Sequence, residues 1–223
     1  TRRASSLDSI VMINDGQGHF EISSLPRLAQ ISPGFGIALS DVDLDGHADC
    51  YMVHNFFTPQ EETGPMDSGL SLLMKGTGDP ANPFVPVWPR ESGLEVPGDA
   101  KSLASVDVNL DGLEDFIVGV NNEEPMIFLN RKVNETTHPM RLRISGAKGN
   151  PTAIGARVIV EVEGFPTQVD EIRAGGGYLT QKSSDLIFAI PNDLETDIQI
   201  TLVWPEGVKS KTTAKPETQF LNL

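Results

Sequence analysis

Asp41, Asp43, Asp45 and Asp49 fall within nine residues of the chain. Asp107, Asp111, Glu114 and Asp115 fall within another nine. Carboxylates crowded this closely repel one another unless a cation sits among them. The first segment reads D-x-D-x-D-G-x-x-D. Asp41, Asp43 and Asp45 take positions one, three and five, and Gly46 permits the sharp turn that folds the loop back. His47 at position seven offers its backbone carbonyl, and Asp49 at position nine closes the shell. Alternate residues of a tight loop point their oxygens at one centre, and Ca²⁺ is a hard cation that takes about 6–8 oxygen ligands. The second segment matches position by position, with Asp107, Asn109, Asp111, Gly112, the carbonyl of Leu113, and Asp115. Two Ca²⁺ ions are therefore expected. Asn109 replaces a carboxylate with a neutral carbonyl oxygen, which predicts a weaker second site.

Other chemistries fit less well. An EF-hand needs a bidentate Glu at position twelve, where this chain has Met52 and Val118. Paired carboxylates can act as acid and base, but a carboxylate committed to Ca²⁺ is a poor proton carrier, so no catalytic residue is expected. His19, His47, His54 and His138 are scattered without a second His or Cys at zinc-ligand spacing. No G-x-S-x-G elbow is present. Gly175-Gly176-Gly177 lacks the Lys-Ser/Thr of a phosphate loop and reads as a turn or bulge between strands. Cys50 is the only cysteine, lies in an apolar run, and reads as a buried, inert thiol.

Composition bounds the partners. With 31 acidic and 17 basic side chains among 223 residues, the formal net charge is −14. Such a surface repels nucleic acid and anionic lipid and attracts divalent cations. No stretch approaches the ~18–20 apolar residues of a membrane-spanning helix. The sequence starts at Thr1 without a Met or a signal peptide and reads as a mature or excised fragment.

The loops must be held by strands. Sixteen prolines and 21 glycines cut the chain into short runs rich in β-branched residues, such as Ser9–Ile13, Cys50–His54, Phe116–Val120, Val158–Val162 and Ile198–Val203. This pattern predicts an all-β protein. A repeat is also visible. DVDLDGHADCYMVHN from Asp41 and DVNLDGLEDFIVGVNN from Asp107 begin 66 residues apart. Between them SLLMKGTGDPANPF (71–84) echoes IVMINDGQGHF (10–20), and MIFLN (126–130) closes the series. Each unit reads as strand, turn, strand, strand, Asp loop, strand, and four strands make a β-propeller blade. About two blades are present where ~4–8 close a propeller. Further blades upstream or association of several copies is therefore expected. The composition changes near residue 131, where RKVNETTHP (131–139) is the candidate linker. The expected domains are 1–134, a partial propeller with both loops, and 135–223, a small all-β C-terminal domain. Asn134-Glu135-Thr136 is an N-glycosylation sequon, a triplet common by chance and usually bare in bacterial chains.

FGIALSDVDLDGHADCYMVHN and SLASVDVNLDGLEDFIVGVNN resemble FG-GAP (VCBS-type) repeats, the calcium-loop blades of integrin-α-like propellers. Phe35-Gly36 supplies the FG dipeptide, and Asn14–Phe20 matches the Gly-rich turn of the repeat. The segments Asn150–Val158, Gly175–Phe188 and Val203–Gly207 resemble the domain named after ASPIC and UnbV. Phe188-Ala189-Ile190-Pro191 departs from that family's usual Phe-Gly-Leu-Gly. The order of blades and then this domain is similar to cartilage acidic protein and its bacterial relatives. The resemblance carries over no catalytic residues. It implies export: an extracellular, cell-surface or, in a Gram-negative cell, periplasmic location. The expected function is a calcium-stabilised scaffold or adhesion protein whose partner is an extracellular protein or polysaccharide. The rival expectation is an enzyme or accessory subunit acting on polysaccharide or in a biosynthetic complex.

Overall fold

The computed structural model describes residues 6–131 and 134–223. The protein is all-β, as its short β-branched runs require. The N-terminal part contains β1 (Ile10–Asn14), β2 (Phe20–Ser24), β3 (Gly34–Ser40), β4 (Asp49–His54), β5 (Leu72–Gly76), β6 (Phe84–Val87), β7 (Ala100–Val106), β8 (Asp115–Val120) and β9 (Met126–Phe128). The C-terminal part contains β10 (Thr137–Arg143), β11 (Arg157–Glu161), β12 (Gln168–Glu171), β13 (Thr180–Lys182), β14 (Leu186–Pro191), β15 (Ile198–Val203), β16 (Lys209–Ala214) and β17 (Phe220–Asn222). Lys132 and Val133 of the candidate linker lie outside the described residues.

Two four-stranded sheets carry the Asp loops. One is the antiparallel meander β3-β4-β5-β6. The other is β13-β7-β8-β9. The first loop joins β3 to β4 and the second joins β7 to β8. Each opening strand carries a register shift at the same place, between Gly34 and Ile37 and between Ala100 and Ser102. Gly36 belongs to this feature. A Cβ there would lie 2.8 Å from the Leu103 Cβ, so glycine is what lets β3 approach β7. Tyr51, Val53, Leu103, Phe116 and Val118 fill the core between these sheets. Their inward-facing positions on neighbouring strands bury an apolar face that a single sheet would leave wet.

The grouping of strands differs from the unit read in the sequence. Strand, turn and strand do precede each Asp loop, as with β1–β2 before β3. But β1 and β2 form a separate two-stranded hairpin, and the four-stranded sheet starts at β3. The reason is connectivity. An Asp loop is a tight link between neighbouring antiparallel strands. The stretch from β2 to β3 runs through a 3₁₀ turn at Arg27–Gln30 into a different sheet.

Two sheets, β14-β10-β17 and β12-β11-β15-β16, close on a second core of Met140, Leu142, Val158, Phe188, Ile190 and Ile200. The run Phe188–Pro191 completes β14. Trp204–Gly207 forms the tight turn expected of WPEG, with the Gly207 N–H donating to Trp204 O at 2.8 Å. Gly175–Gly177 lies in the link from β12 to β13 and leads into a turn at Tyr178–Leu179, where the Gly176 N–H donates to Thr180 O at 2.8 Å. That link delivers β13 to the N-terminal half, where Thr180–Lys182 pairs in parallel with Leu103–Ser105 of β7. Among the described residues no helix is long and apolar enough to cross a membrane.

Candidate metal centre

Both Asp loops fold by the same set of hydrogen bonds. In the first, the Asp45 and Gly46 N–H groups donate to the Asp41 carboxylate at 3.0 and 2.8 Å. His47 N–H donates to Asp45 Oδ1, and Val42 N–H to Asp49 Oδ2. The second repeats each bond: Asp111 and Gly112 to Asp107 at 3.1 and 3.0 Å, Leu113 to Asp111, and Val108 to Asp115. The position-nine acid also reaches across to the third strand. Asp49 accepts from Gly76 N–H at 2.8 Å, and Asp115 from Asn130 N–H at 2.7 Å. Position four is left-handed in both loops, at Leu44 (φ 57°) and Leu110 (φ 62°), and Gly46 (φ 90°) and Gly112 (φ 88°) make the turn. A left-handed leucine is costly. Its recurrence at the same position shows that the turn imposes it.

Among the described residues, one acidic cluster has metal-like spacing: Asp41, Asp43 and Asp49 each place an oxygen within 4.8 Å of the others. Oxygens bound to one Ca²⁺ at ~2.4 Å can be at most about 4.8 Å apart, so this donor set fits a shared ion. Asp45 stands beside the cluster, and the His47 ring packs against Gly78. In the second loop the equivalent trio is Asp107, Asn109 and Asp115. There Asn109 and Asp111 are exposed and bonded to each other, Asn109 Nδ2 donating to Asp111 Oδ2 at 2.7 Å. Leu113 is half-buried and Asp115 buried.

Burial lifts the Asp41 carboxyl to about 7. The charges of Asp45 and Asp43 add to the rise, and the N–H groups of Gly46 and Asp45 oppose it. Burial likewise lifts Asp49 to about 7, aided by Asp43 and Asp41. These acids lie where positive charge is wanted. Lys75, on β5, ion-pairs with Asp43 and stands 3.6 Å from Asp45 Oδ2. The hydrogen bond to Asp43 raises the Lys75 pKa above its ordinary value. At the second loop Arg141 stands 3.7 Å from Asp107.

The C-terminal part packs onto the first loop. Thr137 Oγ1 donates to Leu44 O at 2.7 Å, and Asn134 Nδ2 to Asp43 O at 2.8 Å. The sequon amide is thus engaged by the loop. A Cβ on Gly46 would lie 2.7 Å from the Phe165 ring. Glu114 joins the halves as well. It accepts from Ser40 Oγ and lies 3.3 Å from Lys182, whose Nζ is 2.6 Å from Asp170. These carboxylates outweigh burial and raise the Lys182 pKa. A cleft of about 610 Å³ opens beside this network, lined by Asp41, His47, Arg157, Arg173 and Lys182 among others. Lys75, Thr137 and Lys182 match no metal-site motif, and the sequon at Asn134 does not point to the loop. Only their place in the fold identifies them.

The remaining sequence candidates are structural. Burial pushes the Cys50 thiol up to about 12, in keeping with an inert cysteine. His54 is buried, which holds its ring down to about 4, in the neutral form.

Residues 146–223 match the family model described as ASPIC and UnbV. None of the curated proteins matches this chain. The matched segment spans β11 to β17. The central strand β10, which packs in the same core, precedes it.

Proposed function

We propose that the protein is an extracellular calcium-binding scaffold or adhesion module, with FG-GAP/VCBS-type propeller blades followed by an ASPIC/UnbV domain. The observation that carries this reading is the pair of Asp loops. They share every backbone hydrogen bond described above, and the first gathers three carboxylate oxygens within one ion's reach. In the first loop Asp41, Asp43, Asp45 and Asp49 would hold Ca²⁺ with the His47 carbonyl. In the second, Asp107, Asn109, Asp111 and Asp115 would do so with the Leu113 carbonyl. A bound ion supplies the positive charge that these carboxylates need. The loop residues do the rest: they tie β3 to β4 and β7 to β8 and fix the surface presented to a protein or polysaccharide partner. The sheets β3–β6 and β7–β9 support the blade reading through their matching bulges and loops. Extracellular modules bind Ca²⁺ at about 10⁻⁴–10⁻³ M. Calorimetric titration of Ca²⁺ into the chelator-treated chain tests this reading. Two sites support it, and no binding heat sinks it.

The mixed-charge cleft between the halves favours a second reading, an enzyme or accessory subunit acting on polysaccharide. Turnover of an acidic glycan that is lost in Lys182→Met but survives chelation would select it.

A further inference from the structure

Lys75 sits beside the first loop because of strand register. β5 pairs with β4 so that Met74 faces Cys50, and the next residue along carries its ammonium to the loop. Its Nζ ion-pairs with Asp43, one of the three clustered acids, and reaches Asp45 as well. The second sheet shows what this position holds by default. There Phe128 faces Phe116, and Asn130 plays the part of Gly76 in binding the position-nine acid. The residue equivalent to Lys75 is therefore Leu129, which has no charge. The cation near the second loop, Arg141, approaches position one instead of positions three and five.

We propose that Lys75 is a tethered counter-ion of the first loop, one that must leave Asp43 and Asp45 before a divalent cation can bind there. The proposal rests on the calcium reading of the loop. Its chemistry is simple exchange. The Asp43 oxygen that meets the ammonium cannot also meet the ion at full strength. A lysine is a compact charge on a flexible stem, and this one is 39% exposed, so it can swing into solvent. Lys75 thus does two opposed things. Without calcium it offsets repulsion among the loop acids and keeps the loop formed. With calcium it competes, and so sets the loop's affinity. The second loop has no such competitor on its third strand.

The test is calorimetric titration of CaCl₂ into the full chain carrying Asp111→Ala, an exposed change that silences the second loop. Lys75→Met and Lys75→Arg are compared with the parent in this background, and far-UV circular dichroism checks the fold. Lys75→Met is expected to bind Ca²⁺ about two- to fivefold more tightly, the scale of a partly exposed ion pair, and to melt at a lower temperature in EDTA. Lys75→Arg keeps the charge and the parental affinity. If the parent binds Ca²⁺ and Lys75→Met binds no more tightly, the proposal is overturned while the calcium reading stands. If only Lys75→Met binds, the proposal holds in its strongest form. If neither binds, the calcium reading of this loop falls and takes the proposal with it.

Discussion

The two Asp loops have the same backbone and different surroundings. Leu44 in the first is 3% exposed, and Leu110, at the same position of the second, is 72% exposed. Both are left-handed, and both loops turn on a glycine. The difference comes from the C-terminal part. Thr137, Asn134, Phe165 and Pro166 close over the first loop. The second, among the described residues, meets Pro139 and Arg141 and, through Glu114, Ser40 and Lys182, while its tip at 108–111 is exposed. The nine-residue pattern therefore sets the shape of a loop. Its neighbours set how much its charge costs. Burial raises the pKa of Asp41 and Asp49, so a cation would relieve the first loop of that cost.

The largest expected break in this comparison is Leu44→Ala against Leu110→Ala. The first removes a buried side chain and should cost about 2–4 kcal/mol in urea unfolding. The second should stay within about 0.5 kcal/mol. Equal costs would mean that the C-terminal part does not cover the first loop.

Next comes pH. Asp41 and Asp49 have folded-state pKa values of about 7, above their ordinary value of 3.8. The folded chain then holds more protons than the unfolded one between about pH 4 and 7, so stability falls as pH rises through that window. Melting in EDTA should drop from pH 5 to pH 7.5. With saturating Ca²⁺, which needs the ionised carboxylates, the drop should vanish or reverse. A flat profile in EDTA would contradict the buried placement of these acids.

Smaller effects follow. Thr137→Val removes the shorter of two hydrogen bonds to the Leu44 carbonyl, leaving the Asn134 Nδ2 donor at 3.4 Å, and should cost about 1 kcal/mol. Among the described residues none plays this part at the second loop. Leu110→Gly relieves a left-handed leucine in an exposed turn and should stabilise by up to about 1 kcal/mol. Asn109→Asp adds a carboxylate to the second loop and should tighten its Ca²⁺ binding a few-fold, bringing it closer to the first.

Much of this arrangement could be read from residue types. The β-branched run Ile198–Val203 is β15, residue for residue. Asp-rich spacing with Gly at position six gave both loops their turns, because carboxylates that accept N–H bonds at fixed offsets are a local code. Longer-range features were not legible. Thr180–Lys182 is too short to show any periodicity, yet it joins a sheet built mostly from residues more than 50 positions earlier. Lys75 looks like an ordinary exposed strand lysine until the register places it beside Asp43. The sheet frame is not legible in the sequence because the repeat has no marked start. Only pairing shows that β3 opens a sheet and that β1–β2 stands apart.

The most direct test of the calcium account is a thermal melt of the chain in excess Ca²⁺ and again in EDTA, with the bound ions counted by calorimetry. A ligand that binds only the folded state raises its stability by mass action. The account expects a clear upward shift with two ions bound, the tighter at the first loop. No shift and no binding heat would mean that the loops are empty acidic turns, and the account of what they hold would be wrong.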